Sequence, residues 1–239
     1  MQGRLPLFGV VFVDWHGVLS NDPFWASVLR GRNARLRGQL ESRLDEVFAG
    51  DLAASWMRGA TSVERIIGPV QSTLSRRYRR DFLQRRLIDD CLKMAVNTTL
   101  AAVLQDLART RFVVLATDNT ADFEDAFRRA QNNPSRRAKG APESLRDLAP
   151  VMDDIICSSR HGVFKAEDPM AFFGMWLDGN GLDFTDAVLI DDRGDNCLAF
   201  EDAGGHAIRW RSDDPHAIGA VRRLRIEGVQ PHSASTLLP

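Results

Sequence analysis

Four times along this chain, a short continuous run of β-branched and aromatic residues stops abruptly at polar ones. Val10-Val11-Phe12-Val13 ends at Asp14, Phe112 to Ala116 at Thr117-Asp118-Asn119, Asp154 to Cys157 at Ser158-Ser159, and Ala187 to Ile190 at Asp191-Asp192. A fifth, weaker run, His206 to Trp210, follows Gly204-Gly205. Uninterrupted apolar runs mark strands buried on both faces, the situation in a parallel sheet covered by helices. Helical patterns lie between them: Leu100, Val103, Leu104 and Leu107 share one face, Phe123 and Phe127 sit one turn apart, and Asp168-Pro169 reads as the cap and first turn of a helix through Trp176. The expected fold is α/β, a Rossmann-like three-layer core with a mostly parallel sheet. In such a sheet the ligand crevice lies beyond the carboxyl ends of the strands, where these polar residues fall.

The alternation is interrupted once. From Asn21 to Asn97 the periodicity is helical throughout, with one stripe of Leu36, Leu40, Leu44 and Val47 and another of Val63, Ile66, Ile67 and Val70. Thr61 to Glu64 fits a capping box before the second stripe, and Gly68-Pro69 is expected to kink or split that helix. The division expected is a discontinuous core of residues 1–20 and 98–227, an inserted all-helical cap of 21–97, and a flexible tail of 228–239. Residues 131–150 read as a long exposed loop with a short helical turn.

Composition narrows the function. At 44% hydrophobic and 26% charged, the chain is too apolar for disorder, and 31 basic residues against 32 acidic ones give no global field for a polyanion, so no nucleic-acid partner is expected. Leu5 to Val13 is too short for a membrane span and breaks at Pro6 and Gly9; the protein is expected to be cytoplasmic with no membrane partner. The cysteines Cys91, Cys157 and Cys197 form no CxxC pair and read as buried thiols. Oligomeric state is left open. Trp25 and Trp56 are read as cap core, and the Arg76 to Arg80 run as a solvated helix face.

Each polar residue at a strand end has an ordinary reading by itself: Asp14 as a turn former, Thr117 as a helix cap, Lys165 as a surface lysine. Lys165 is one of only three lysines, with Lys93 and Lys139, in a chain otherwise rich in arginine. Taken together, two carboxylate sites, a hydroxyl and an ammonium are what a magnesium and phosphate site requires, with hard oxygen ligands for the cation and donors for the phosphoryl oxygens.

In order along the chain, VVFVDWHGVLS, FVVLATDN, FKAEDP and VLIDDRGDN resemble the four motifs of the haloacid-dehalogenase-like (HAD) hydrolase superfamily, most of whose members are magnesium-dependent phosphatases. A helical insertion between the first two motifs is similar to the branch whose cap sits there. The resemblance implies Mg2+ as cofactor and a small phosphorylated molecule as substrate. Asp14 is then the nucleophile, forming an aspartyl-phosphate. Thr117, Asp118 and Lys165 bind the phosphoryl group, while Asp14, the backbone carbonyl of His16 and Asp192 hold the metal, with Asp191 and Asn196 close by. Asp168 is expected to position Lys165. The sequence departs from the pattern at His16, where family phosphatases have a second aspartate for acid–base work, and at Asp118, where many relatives have asparagine. His16 keeps two other readings open: a binding or regulatory protein without turnover, and a hydrolase of a P–C, P–N or C–halogen bond.

Overall fold

The computed structural model describes residues 8–75, 78, 81–134, 140–212 and 214–224. Strands β1 (Val10–Val13), β2 (Phe112–Thr117), β3 (Asp154–Cys157), β4 (Ala187–Asp191) and β5 (His206–Arg209) form one parallel sheet in the order β3-β2-β1-β4-β5. The chain is α/β, with the sheet between two helical layers. Each strand alternates between them. Val11, Val13, Val113, Leu115, Val188 and Ile190 face a core completed by α6 (Thr98–Leu107), α7 (Ala121–Asn132), α8 (Leu145–Leu148) and α12 (Pro215–Arg223). Val10, Phe12, Val114, Ala116 and Leu189 face the other, filled by Phe172 and Phe173 from a π-helical turn (Met170–Gly174), Leu177 and Phe200. Short helices α9 (Ser158–His161) and α10 (Met175–Gly179), and α11 (Gly194–Asp202), complete the layers. Because the strands are buried on both faces, periodicity two is invisible in their hydrophobicity, which is why they read as continuous runs.

Between β1 and α6 the described chain is helical: α1 (Ala26–Leu29), α2 (Ala34–Phe48), α3 (Asp51–Met57), α4 (Val63–Gln71) and α5 (Phe82–Cys91). Their packing centre is Trp25 stacked on Trp56 at 5.9 Å, with the Trp25 indole N–H donating to the Leu83 carbonyl at 2.7 Å. The insertion closes on itself at its base. The Asn97 N–H donates to the Leu19 carbonyl at 2.7 Å, and the Asn97 side chain accepts the Leu100 N–H, so one residue joins entry to exit and starts α6.

Three expectations are corrected. Of the kink or split expected at Gly68-Pro69, the split does not occur, since α4 runs through Pro69. The carbonyl of Arg65, which loses its i+4 partner to the proline, accepts instead from the Arg43 guanidinium of α2, whose Nε also donates to the Ile66 carbonyl at 2.8 Å. The capping box does not form: Ser62 is the cap residue without a side-chain bond to the helix backbone, and Thr61 turns away to share a 2.7 Å bond with the Ser55 hydroxyl. Within 131–150, α7 continues to Asn132, and the expected short helical turn is α8, whose Leu145 and Leu148 are fully buried and not exposed. The tail from 228, and Arg76, Arg77, Arg79 and Arg80, lie outside the described residues. All three cysteines are free and buried, and burial pushes the Cys157 thiol up to about 12. No helix among the described residues is long and apolar enough to cross a membrane.

Candidate active site

Register sets the site. Val13 pairs with Ile190 across β1 and β4, and the Asp14 N–H donates to the Ile190 carbonyl at 2.9 Å, so the next residues of the two strands, Asp14 and Asp191, emerge side by side at the centre of the carboxyl edge. Lys165 arrives from the loop after α9. Its ammonium lies 2.8 Å from Asp14 Oδ1, donates to Asp191 Oδ2 at 2.5 Å and to the Ala116 carbonyl at 3.1 Å. One cation thereby ties the ends of β1, β2 and β4 together with all three of its donors. Lys165 is 1% exposed, Asp191 0% and Asp14 6%, so this is a desolvated charge cluster and not a surface salt bridge.

The electrostatics follow. Burial pushes the Asp14 carboxyl up, to about 7, with Lys165 pulling down and Asp191 pushing up. Burial works against the Lys165 ammonium too, but Asp14, Asp191 and Asp118 outweigh it and hold Lys165 above its ordinary value. Burial, then the charge of Asp191, raises Asp192. Two buried carboxylates and a third beside them, sharing one lysine, form a site short of positive charge.

A cation fits there. Asp14, Asp191 and Asp192 each offer an oxygen within 4.8 Å of the others, a hard donor set of the kind magnesium takes. Gly17 makes the arrangement possible. Its φ is +84°, and a Cβ there would lie 2.1 Å from Asp192 Oδ2, so only glycine lets this carboxylate close on the loop after Asp14. Asp191 is already engaged: Oδ1 accepts from the Arg193 N–H and the Asn196 amide, Oδ2 from Lys165 and the same amide. Asp14 and Asp192 are therefore the freer ligands, with Asp191 orienting the cluster from beneath. The Asn196 Oδ1, buried in the lining, has no hydrogen-bond partner among the described residues, an acceptor that a cation's bound water would satisfy.

Asp14, His16, Thr117, Asp118, Lys165 and Asp192 all line one cavity of about 430 Å³, while Asp191 lies below its floor. Asp118 has a definite task, because its Oδ1 accepts the Lys165 N–H at 3.1 Å and fixes the lysine's backbone to the end of β2. Asp168 does not position Lys165. Its carboxylate accepts the Ala171 N–H at 2.9 Å and caps the turn that follows, as an aspartate before proline does, and the side-chain partners of Lys165 are those given above. One residue escaped sequence reasoning. Ser158, wholly buried, accepts the Asn119 N–H at 2.9 Å and donates to the Met57 carbonyl of the insertion at 2.7 Å, joining the Thr117 loop to the cap. A polar residue directly after a buried strand was the available signal.

No family model and no curated protein matches the sequence. Among solved structures, a HAD-family enzyme from Bacteroides thetaiotaomicron, crystallised with magnesium and inorganic phosphate, superposes with a TM-score of 0.59 at 14% identity, covering 87% of this chain and 96% of that one. The chain has the HAD fold. A predicted HAD-like family hydrolase from Porphyromonas gingivalis aligns at 0.57 and 15% identity over 92% of this chain and 98% of its own. An L-2-haloacid dehalogenase from Xanthobacter autotrophicus, with chloropropionic acid covalently bound, aligns at 0.55 and 13% over 88% and 80%.

Proposed function

We propose that this protein is a magnesium-dependent phosphatase of a small phosphorylated molecule, working through an aspartyl-phosphate on Asp14. The observation that carries the reading is the meeting of Asp14, Lys165 and the Asp191-Asp192 pair at one strand edge, in a cavity that also holds Thr117 and His16. The magnesium and phosphate bound to the Bacteroides HAD-fold neighbour support it by analogy.

Asp14 and Asp192, with the His16 carbonyl, would hold the metal. Bound magnesium supplies charge neutralisation to the nucleophile and the phosphoryl oxygens. Lys165, its charge fixed beside Asp14 Oδ1, leaves the other carboxylate oxygen to attack phosphorus while Thr117 holds a phosphoryl oxygen. As the new O–P bond forms, the ester P–O bond breaks, and the leaving oxygen takes a proton from the His16 imidazolium. The neutral imidazole then removes a proton from water, whose oxygen attacks the same phosphorus; the Asp14 O–P bond breaks, the carboxylate leaves, and the phosphoryl group departs as inorganic phosphate. His16 is exposed and lines the cavity, where water can reach it, and the proton it gives up in the first step is regained in the second.

The C–halogen alternative needs no metal, so a carboxylate group that could hold a cation, Asp14 with Asp191 and Asp192, weighs for phosphoryl transfer. The test is phosphate release from a broad panel of monoesters, with and without magnesium, by the native protein and Asp14→Asn. Release that needs magnesium and falls roughly 1,000-fold or more in the variant is expected. Halide release without magnesium would transfer the site to dehalogenation, and ligand-induced stabilisation with no turnover to a binding role.

A further inference from the structure

Opposite the charged strand edge, the cavity wall is apolar. Phe24, Leu44, Phe48, Met57 and Met94 of the insertion line it, together with Phe164 from the loop leading to Lys165. Phe48 is the residue of α2 whose exposure stands out, with Leu44 one turn before it. In α2 the residues that fill the cap core are Leu36, Leu40 and Val47, all buried, whereas Leu44 is half-buried and Phe48 is 49% exposed, one helical turn further on. Leu44 packs against that core with part of its side chain and turns the rest to the cavity, while Phe48 is outside the core altogether, so the two extend the apolar stripe beyond what internal packing uses and border the cavity.

Charge points the same way. The described cations in the lining are already engaged or belong to the reaction: Lys165 uses its three donors on Asp14, Asp191 and Ala116, and Arg193 is paired with Asp195 through Nε and a terminal nitrogen, leaving His16. No described basic residue of the insertion lines the cavity, while Asp22, Asp118 and Asp192 do. A second phosphate or a carboxylate on the substrate would find no described basic residue on the insertion's wall, where Asp22 is itself paired with Arg30, and would lie near the carboxylates of Asp118 and Asp192. A polyol would strip its hydroxyls of water against phenylalanine and methionine.

We infer that the substrate is a monoester carrying a single phosphoryl group on an uncharged aromatic or branched apolar alcohol, held by Leu44 and Phe48 against Phe24 and Phe164. This rests on the phosphatase reading for the phosphoryl end and on the lining for the other. Transfer of one ring from water to this wall is worth about ten- to a hundredfold in affinity.

Calorimetric titration, in the presence of magnesium, of non-hydrolysable benzylphosphonate, 2-hydroxyethylphosphonate and phosphonoacetate tests the inference by binding. Benzylphosphonate is expected to bind at least about tenfold tighter than either of the others, with a negative heat-capacity change. Leu44→Ser with Phe48→Ser is expected to remove most of that preference. Phe48 is half exposed, so circular dichroism of the single variant Phe48→Ser should match the native protein and serves if the double variant does not fold. Equal affinities, tighter binding of the hydroxyethyl or carboxylate compound, no measurable binding, or a preference that survives both variants would each overturn it. Phosphate release from phenyl phosphate and glycerol phosphate reads the chemistry separately. Turnover without aryl preference removes the substrate class and leaves the phosphatase; aryl preference in binding without turnover removes the phosphatase and leaves the apolar subsite.

Discussion

The floor and the roof of the cavity are built from opposite materials. The floor is a set of buried charges at strand ends, each held by fixed partners: Lys165 by three, Asp191 by the Lys165 ammonium, the Asn196 amide and a backbone N–H. The roof is helical and apolar, and two of its side chains, Leu44 and Phe48, have surface left over. A polar array needs all its members to be stable, since one missing partner leaves a buried charge alone, whereas an apolar wall tolerates substitution at modest cost. On the proposed function, chemistry would fall to the part that cannot vary cheaply and selectivity to the part that can. The contrast predicts that single changes in the floor damage stability and activity together, while changes in the roof shift preference and leave the fold in place.

Lys165→Met tests the first half with the largest expected effect. It leaves Asp14 and Asp191 buried beside each other without their shared cation, and removing one partner from a buried ionic cluster costs about 3–5 kcal/mol. Urea denaturation at neutral pH should show the loss. Magnesium should recover part of it by supplying the missing charge. A variant as stable as the native protein would mean that the floor is not a cooperative cluster, and the division of labour would lose its basis.

The joint between floor and roof gives a second, smaller effect. Gly59, just after α3, has φ +72° and faces the core so closely that a Cβ would lie 2.2 Å from the Ser159 backbone carbonyl. Gly59→Ala must therefore separate the insertion from the α9 turn, with about 1–3 kcal/mol of strain for the backbone conformation alone. The nearby bond from Ser158 to the Met57 carbonyl should loosen with it, exposing Ser158, which also receives the Asn119 N–H. Amide exchange at Asn119 is expected to quicken. Slow, native-like exchange there would show that roof and floor are independent, contrary to the geometry.

The sequence made the floor legible and the roof much less so, for a physical reason. Strands buried on both sides are short, continuous and end where the sheet ends, so the residue after Val13 or Ile190 is at the crevice by construction. Asp14, Thr117 and Asp191-Asp192 follow from that rule, and Lys165 stood out as a rare lysine. What a helix face touches depends on a third dimension that one periodicity does not contain. Leu44 shares the stripe of Leu36 and Leu40 and packs against the same core, but that it also lines the cavity is not contained in the stripe. That α4 is not split at Pro69 is not legible locally, because the Arg43 guanidinium that satisfies the freed carbonyl comes from another helix. Asp168, close to Lys165 in sequence, turned out to serve its own local turn, since a capping bond within three residues is available to it.

The smallest predicted effect is the most selective about how the roof is fastened. Arg58 of the insertion lies over the Phe164 ring at 4.2 Å from its centroid and pairs with Glu167, which also accepts the Phe164 N–H; both bonds hold the Glu167 carboxyl below the usual range. Arg58 thus grips the loop that delivers Lys165 from its outer side. The pair is open to solvent, so Arg58→Ala should cost less than about 1 kcal/mol, and less still at high salt. The sign with pH is fixed by the depressed carboxyl: the contribution is complete above the ordinary glutamate value of 4.5 and fades as pH falls through the lower value of the folded state. Native and variant stabilities should therefore converge in acid, in thermal melts taken between neutral pH and about pH 3. If Arg58 fastens the roof to that loop, the KM for an aryl phosphate should rise about two- to fivefold with kcat little changed, because closure over the leaving group weakens while the floor is untouched. A fall in kcat alone would instead place Arg58 with the floor, acting through the Lys165 loop on the charge cluster itself.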